Sequence, residues 1–286
     1  MTLPTGSTTQ SSMSQIAEEF GDTRANGEIR LGDYKKVSLT SNYPQGVGEL
    51  SFPSIDGGGQ VPTSGQISIN DFKGTRLQQV VNFWSNNAGG NRLNAKTRYN
   101  SNGMIGSHNE VTVVGGYRSR PSNSSGTRVH IHVNKNIGSD QTTNSNNIQR
   151  CALRTGNWNS GTELLVEVAG GTVIGAGGNG GNGQSNNNGL PGKNGSSGLG
   201  IEVNNCTVNV ASGGVVRAGF GGGGGNNENQ AYGQSGGSGG QAQGGPGGAQ
   251  GGGGANGAAI RRTSGFSVSI NNSGTIAGDT TATGVG

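Results

Sequence analysis

Hydrophobic positions follow a helical period only in the first 90 residues. The capping-box pattern Ser-Met-Ser-Gln at 12–15 predicts a short helix that ends at Gly21. A second capping-box pattern at 75–78 leads into apolar positions spaced i, i+3, i+4 and i+7, which predict another helix. The four apolar positions of this second helix are Leu77, Val80, Val81 and Trp84.

Further along the chain, apolar and polar residues alternate as they do in β-strands. Strands are predicted over 110–114, 128–133 and 163–168, because each is rich in β-branched residues and is bounded by Gly- or Asn-rich turns. We therefore expect a small, sandwich-like β domain over 91–169.

The C-terminal region contains an internal repeat of strand, turn and strand. Its copies lie at 165–178, 207–221 and 267–278, and the first two run into glycine-rich sequence. We interpret each copy as a hairpin-like pair of strands. The copies then form stacked layers from which the glycine-rich segments emerge.

Glycine is the dominant feature of this C-terminal region. Of the 61 glycines, 40 lie in residues 170–286, so this part of the chain lacks the side chains of a conventional core. Glycine occupies every third position from Gly177 to Gly198 except Asn186, and from Gly233 to Gly257 except Ala242. Three residues per turn is the polyproline-II period. The pattern predicts glycine-rich extended helices, packed closely enough for backbone hydrogen bonds between them.

The predicted fold class is mainly β, with few short helices and a glycine-rich helix bundle of the polyglycine-II type. We expect three regions: an N-terminal docking segment over 1–90, the β domain over 91–169, and the glycine-rich repeat region over 170–286.

A nine-residue string occurs twice in the N-terminal region. Residues 27–35 and 65–73 both read Gly-x-Ile-x-(Leu/Ile)-(Gly/Asn)-Asp-(Tyr/Phe)-Lys, a short extended pair followed by a turn and an aromatic anchor. We expect these clips to dock on other subunits, although they could instead complete the core of this chain. The apolar docking residues are Ile29, Leu31, Tyr34, Ile67, Ile69 and Phe72.

The same N-terminal region resembles a known element of bacteriophage proteins. Ser-Gln-Ile-Ala-Glu-Glu-Phe-Gly at 14–21, followed by Ile-Arg-Leu-Gly-Asp-Tyr at 29–34, is similar to a short element of virion structural and tail proteins of tailed bacteriophages, and residues 64–74 are closer still. The resemblance implies a virion protein that contacts other virion proteins through residues 1–90.

The glycine-rich region resembles the tip adhesins of T-even-type phage tail fibres, in which polyglycine-II helices form a packed sandwich and the loops between them contact the bacterial surface. Here the loops lie at 184–188, 226–232 and 241–243. Those adhesins expose aromatic residues at their tips, whereas the glycine-rich runs and loops here offer only Phe220 and Tyr232. The resemblance implies a glycan or an outer-membrane protein as receptor. The receptor-binding residues would be Asn186, Asn187, Asn226, Asn227, Glu228, Asn229 and Tyr232.

Composition and motifs argue against most other functions. The net charge is only +4 and no Lys/Arg cluster indicates nucleic-acid binding. No apolar run approaches the roughly 18 residues of a membrane span. Cys151 and Cys206 are too few for a disulfide scaffold, which is consistent with synthesis in a cytoplasm.

No catalytic, cofactor-binding or metal-binding residue is predicted. Gly175 to Gly180 matches a dinucleotide-binding pattern by chance, without the helix that such a site needs. His130 and His132 share one strand face and could join a metal site, but half-exposed strand residues explain them better. Trp158 is the best aromatic candidate for a sugar platform, and a Trp that caps the small β core is its simpler explanation.

We therefore expect a non-enzymatic virion protein of a phage tail or tail fibre, present in several copies per particle, with receptor binding as its finer role. One alternative is a head, neck or tail decoration protein without a receptor role. Another, from a different class, is an ice-binding protein, since some antifreeze proteins contain glycine-rich threefold helices.

Overall fold

The computed structural model describes twelve stretches of the chain: 12–19, 30–34, 61–62, 64–73, 78–83, 93–102, 105–107, 111–114, 128–139, 147–178, 191–222 and 253–286. They belong to two compact units. The first unit comprises Met1–Trp84, Ala95–His132 and Asn157–Val166. The second comprises Ser85–Asn94, Val133–Gly156 and Glu167–Gly286.

Strands dominate the described residues. The two α-helices found there are α1 (Met13–Glu19) and α2 (Ala95–Asn102), and short 3-10 helices span Leu31–Tyr34, Ile69–Phe72 and Asn147–Gln149. The strands are β1 (Gln78–Phe83), β2 (Leu93–Asn94), β3 (Ile105–Ser107), β4 (Val111–Val114), β5 (Arg128–Val133), β6 (Asn136–Gly138), β7 (Cys151–Arg154), β8 (Glu163–Val168), β9 (Thr172–Ile174), β10 (Ser197–Ile201), β11 (Cys206–Val210), β12 (Val215–Arg217), β13 (Ile260–Arg262), β14 (Val268–Asn272), β15 (Thr275–Ala277) and β16 (Ala282–Thr283).

Helix α1 begins at the predicted capping box. The Gln15 amide donates to Ser12 Oγ (3.2 Å), and the Ser12 amide donates to Gln15 Oε1 (2.8 Å). These reciprocal bonds satisfy amides that have no partner inside the helix, so the prediction for this helix start is confirmed.

The second predicted helix is wrong, because residues 78–83 form strand β1 instead. Val80 and Val81 are both fully buried and pair antiparallel with Val114 and Val113 of β4. Apolar spacing of i, i+3 and i+4 arises by chance in a strand that is buried on both faces. Long-range pairing of β-branched residues then outweighs the local helical signal.

The other strands predicted in the first unit are confirmed. β5 has the predicted bounds, and β4 covers all but the first residue of its prediction. In this unit the strands lie in the order β8–β5–β1–β4–β3, and β4 pairs antiparallel with both β1 and β3.

The second unit contains a parallel β-helix with three strands in each coil. The chain passes from β11 to β12 to β13, and then returns as β14 beside β11, β15 beside β12, and β16 beside β13. Two further sheets of this unit have the orders β6–β9–β12–β15 and β2–β7–β10–β13–β16, and every pair of adjacent strands within them is parallel.

The repeat copies are therefore coil segments and not hairpins. The two strands of each copy pair with the equivalent strands of other copies, as when Val216 of β12 lies between Val173 and Ile276. At the bend between β11 and β12, Gly213 has a φ of +80°, which L side chains rarely adopt. The Ala211 amide donates to the Val168 carbonyl (3.0 Å) and the Ser273 amide to the Val210 carbonyl (2.8 Å), so each bend is bonded to the coil before it.

Apolar ladders run through the interior of the β-helix. One ladder stacks Ile137, Val173, Val216 and Ile276, and a second stacks Leu93, Leu153, Leu199 and Ile260. Ile276 is only partly buried, and burying each of the other side chains contributes about 1.5–3 kcal/mol. β6 and β7 belong to these ladders, so they are part of the coils and not of a sandwich-like domain.

The predicted mainly β fold class is confirmed. The boundaries predicted at residues 90 and 169 stay predictions. Among the described residues, no helix has the length and apolar character needed to cross a membrane.

Candidate functional site

The glycine-rich sequence leaves the β-helix between strands of two sheets. In one coil it separates β9 from β10, and in the next it separates β12 from β13. The described parts are four extended segments: the first (175–178), second (191–196), third (218–222) and fourth (253–258). We call these four segments the bundle.

Backbone hydrogen bonds join the bundle segments at intervals of three residues. The third segment accepts from the first, since Gly178 donates to the Phe220 carbonyl (2.8 Å) and Gly175 donates to that of Arg217 (2.9 Å). Gly219 and Gly222 of the third segment donate to Ser196 and Lys193 of the second (both 2.8 Å).

The fourth segment is bonded in the same way. Gly254 donates to the Gly222 carbonyl (2.7 Å), Gly257 donates to the Gly219 carbonyl (2.9 Å), and Ala255 accepts from Gly195 (2.9 Å). The interval is that of extended helices with three residues per turn. Polyglycine-II structure over the complete runs stays a prediction, because 179–190 and 223–252 lie outside the described residues.

Glycine is required because the segments approach so closely. A Cβ atom on Gly178 or Gly254 would overlap the Lys193 carbonyl oxygen, and one on Gly257 would overlap that of Ser196. Gly195 and Gly257 lie in the predicted glycine frames, whereas the contacts of the first segment are made by Gly175 and Gly178, one position on from the predicted frame.

Side-chain oxygens accept hydrogen bonds from several further bundle amides. Asn194 Oδ1 accepts from Ala255 (2.8 Å), and Asn256 Oδ1 accepts from Gly221 (2.9 Å). At the base, Ser196 Oγ accepts from the Ala176 amide (2.7 Å) and bonds Ser139 Oγ (2.7 Å). These bonds fix the bundle to the β-helix and make it a rigid support.

The outer ends of the four segments meet at one end of the bundle. Gly178 and Lys193 are the stems of the stretch 179–190, which contains one predicted loop, and Gly222 and Gly254 are the stems of the stretch around 223–252, which contains the other two. We call these two stretches the loop regions. The bonds from Gly178 to Phe220, from Gly222 to Lys193 and from Gly254 to Gly222 hold these four stems together. Both loop regions therefore start from adjacent, immobilised stems.

The predicted receptor-binding residues belong to these two loop regions. They all lie outside the described residues: Asn186, Asn187, Asn226, Asn227, Glu228, Asn229 and Tyr232.

Aromatic residues divide clearly between buried and exposed. Trp158 is 5% exposed, so it is a packed residue and not a sugar platform. Phe220 is 39% exposed, and the Arg217 guanidinium carbon lies 6.0 Å from its ring centroid. Sequence reasoning noted Phe220 but missed its pairing with Arg217, which the three-residue spacing could have indicated.

His130 and His132 lie close together on β5, and both cysteines are buried. His130 is buried and His132 Nδ1 lies 3.1 Å from Asn82 Oδ1, with 5.7 Å between the two imidazole centroids. Among the described residues, no group of three metal-ligating side chains occurs. Cys151 and Cys206 are buried free thiols, and burial raises the pKa of Cys206.

The described parts of the two clips have equivalent 3-10 helices, at Leu31–Tyr34 and Ile69–Phe72, and they pack together. Each ends in a 3-10 helix, and their aromatic rings meet edge to face with centroids 6.3 Å apart. Tyr34 and Phe72 are buried in a cluster with Ile16, Ala17 and Val61.

The apolar residues around this aromatic pair differ in exposure. Leu31 and Ile67 are partly buried against the cluster, whereas Ile69 is 36% exposed. Ile29 lies outside the described residues. The clips thus contribute to the core of their own chain, and docking on other subunits stays a prediction.

Comparison with known proteins agrees with this arrangement. The family model for the phage tail fibre adhesin Gp38 matches residues 102–284, which include every strand from β3 to β16. No curated protein and no solved structure matches the chain. A match over well more than half of the chain shows that it belongs to the Gp38 family of phage tail fibre adhesins.

Proposed function

We propose that this chain is the host-contacting subunit of a phage tail fibre, and that the loops at the outer end of the bundle bind the bacterial receptor. Membership of an adhesin family indicates a virion component with a structural, non-enzymatic role. It also favours the tail fibre over a head or neck position, and favours an adhesin over an ice-binding protein.

The convergence of the loop stems is the observation that carries the proposal. The stems at Gly178, Lys193, Gly222 and Gly254 are held by shared backbone hydrogen bonds of 2.7–2.8 Å. Loops on such a support lose less conformational entropy on binding than loops on a mobile one. The bundle thus permits the loop sequences to vary without change to the scaffold.

The composition of these loops suits polar recognition. Residues 184–188 and 226–232 are rich in asparagine and glutamine, and the second also carries Glu228 and Tyr232. Amide side chains both donate and accept hydrogen bonds, and a tyrosine ring adds apolar contact with a polar tip. A bacterial surface glycan or an outer-membrane protein loop offers complementary groups. Several copies per particle would supply avidity.

Replacement of the longest candidate loop tests receptor binding. Phage particles that carry a Gly/Ser sequence of equal length at 226–232 should lose adsorption to host cells while they retain normal amounts of the protein. Asn271→Ser is the control, because it removes an exposed asparagine from β14, far along the chain from the loop stems. Unchanged adsorption of the loop variant would contradict receptor binding by this loop.

Attachment to the virion is proposed to involve the clips. Tyr34 and Phe72 fix the shape of the cluster, and the exposed Ile69 offers apolar surface to a partner. Ile69→Asp should therefore lower the amount of protein on purified particles without a change in the melting temperature of the isolated chain.

The matched control for attachment is Gln66→Asp, which adds the same charge at an exposed position of the same clip. Full incorporation of the Ile69→Asp chain, or equal loss with Gln66→Asp, would contradict docking through the apolar clip surface. Mass spectrometry of purified particles measures both variants.

A further inference from the structure

An exposed aromatic ring and an arginine lie side by side where β12 runs into the bundle. Phe220 and Ile69 are the large hydrophobic residues with the greatest exposure among the described parts of the chain. Arg217 Cζ lies 6.0 Å from the Phe220 centroid, at the outer limit of a cation–π contact. This pair is part of neither loop region at the outer end of the bundle.

The backbone fixes both side chains in place. The Arg217 carbonyl accepts from Gly175 (2.9 Å), and the Phe220 carbonyl accepts from Gly178 (2.8 Å). Arg217 is the last residue of β12 and Phe220 lies three residues further on in the third segment, and the 6.0 Å contact places the guanidinium and the ring side by side. Arg217 also lies between Ile174 and Ala277 in the parallel sheet.

The charge of Arg217 is not neutralised by a partner within the described residues. Arg154, by contrast, forms an ion pair with Glu202, and the buried Arg261 donates to Ser197 Oγ (2.8 Å) and to the Thr283 carbonyl. Arg217 is exposed, and no hydrogen bond or ion pair to its guanidinium occurs in the described part of the chain.

The acidic groups of the second unit have other partners. Its described acidic residues are Glu167, Glu202 and Asp279. Glu202 pairs with Arg154, Glu167 accepts from Asn209 (3.3 Å), and Asp279 accepts from Thr281 (2.7 Å). Among the described residues, no acidic side chain therefore occupies the guanidinium donors of Arg217.

We infer that Phe220 and Arg217 form a binding subsite for an anionic saccharide, one that carries a phosphate or a carboxylate. A sugar presents an apolar C–H face that can pack on an exposed aromatic ring. An oxyanion on the same sugar can accept two parallel N–H bonds from a guanidinium, a geometry that arginine provides and lysine does not.

The subsite deepens the proposed receptor-binding function and rests on it. Phe220 lies two residues before Gly222, where the loop region around 223–252 starts. A charged sugar on the pair would thus lie beside a stem of the proposed receptor-binding loop. It would add an anchor on the rigid bundle to the contacts that the loops make.

Titration of the purified full chain with three monosaccharides tests the inference. Glucose 6-phosphate, glucuronate and neutral glucose distinguish phosphate, carboxylate and uncharged ligands, and NMR chemical-shift changes report their affinities. We expect one or both anionic sugars to bind more tightly than glucose. Arg217→Gln should weaken that binding about tenfold, as expected from the loss of a charge-assisted pair. Phe220→Ala should weaken it severalfold.

Lys135→Gln is the charge-matched control, since it removes another exposed cation of the same unit. It should leave the affinities unchanged, and all three variants should unfold at the wild-type temperature because their side chains are exposed. Equal affinity of the wild type for the three sugars, or no binding of either anionic sugar at about 10 mM, would overturn the inference. Wild-type affinity in both the Arg217 and the Phe220 variant, or an equal loss of affinity in the Lys135 control, would also overturn it.

The inference and the proposed function can fail separately. If the replacement at 226–232 abolishes adsorption while Phe220→Ala and Arg217→Gln bind anionic sugars normally, the function stands and the subsite is wrong. If both variants lose sugar binding while the loop replacement leaves adsorption unchanged, the subsite stands and the proposed role of that loop is wrong.

Discussion

Adding one methyl group to the bundle at Gly257 should destabilise it strongly. Gly257 is buried, and the Cβ of an alanine there would overlap the Ser196 carbonyl oxygen of the second segment. The Cβ is attached directly to the backbone, and the carbonyl oxygen is itself a backbone atom that accepts a hydrogen bond from Gly219. Rotation of a side chain therefore cannot relieve the overlap. The fourth segment must therefore move away from its neighbours.

The cost follows from the hydrogen bonds that hold the fourth segment. Gly257 donates to Gly219, Gly254 donates to Gly222, and Ala255 accepts from Gly195, at 2.7–2.9 Å. At about 0.5–1.5 kcal/mol each, loss of the three bonds costs about 1.5–4.5 kcal/mol. Reduced entropy of the unfolded chain offsets about 0.4–1 kcal/mol. Gly257→Ala should thus lower the free energy of unfolding by about 0.5–4 kcal/mol.

Gly253→Ala is the matched control in the same segment. Gly253 is exposed, and the nearest atom to its Cβ would be the Gly222 carbonyl oxygen at 3.7 Å, an ordinary contact. This variant should be as stable as the wild type or slightly more stable.

Thermal unfolding of the purified chains measures the difference, with a shift of about 2–4 °C for each kcal/mol. Hydrogen exchange of the Gly254 and Gly257 amides would show whether the loss is confined to the bundle. Equal melting temperatures and equal amide protection in the Gly257 and Gly253 variants would refute close packing as the reason for glycine.

Three further predictions concern the β-helix. Val216→Ala removes two methyl groups from an interior ladder and should lower the free energy of unfolding by about 1–3 kcal/mol in chemical denaturation. Val215→Ala, on the outer face of the same strand, should change it by less than about 0.5 kcal/mol. Equal losses in the two variants would contradict the assignment of Val216 to the inner face and Val215 to the outer face. The hydrogen bonds from the Thr281 amide and hydroxyl hold the pKa of Asp279 below its ordinary value. The ionised carboxylate therefore stabilises the folded state at pH values above the unfolded-state pKa of Asp279. This stabilisation is lost as the pH falls through the lower pKa of the folded state. Thr281→Val keeps the amide donor but removes the hydroxyl, so it should raise the Asp279 pKa in an NMR titration. An unchanged pKa would show that the hydroxyl does not lower it. Burial raises the pKa of Cys206 and Cys151 is also buried, so neither thiol should react with iodoacetamide before the chain unfolds; rapid labelling of the native protein would contradict this burial.

The sequence alone determined those features whose physical cause is local. The capping box at 12–15 was visible because Ser12 and Gln15 lie within one helical turn and bond each other. The clips were recognised as equivalent, and each does end in a 3-10 helix. The bounds of β5 and β8 followed from alternation bounded by turn residues.

The repeats and the glycine interval were also visible in the sequence. Paired positions in successive coils carry similar residue types, so the repeat copies can be aligned from the sequence without knowledge of which strands pair. Only glycine permits backbones to approach as closely as they do at Gly195 and Gly257. The positions of close approach are therefore visible in the sequence as glycines at intervals of three.

Tertiary structure decided which partner each segment takes. Residues 78–83 satisfy a helical pattern and a strand pattern equally, and pairing with β4 selects the strand. The repeat copies contain two strands and a turn, which is also the pattern of a hairpin. Val208 instead pairs with Ile270, which lies in the next coil after a long glycine-rich excursion.

The candidate site shows the same division. The close approach of glycine-rich segments was predicted from composition, and the receptor-binding loops stay a prediction. The frame used by Gly175 and Gly178, the burial of Trp158 and the contact between Arg217 and Phe220 were not predicted. A local pattern records the preferences of neighbouring residues. The partner of a strand, or of an exposed ring, depends on where the rest of the chain lies, and only the folded structure supplies that information.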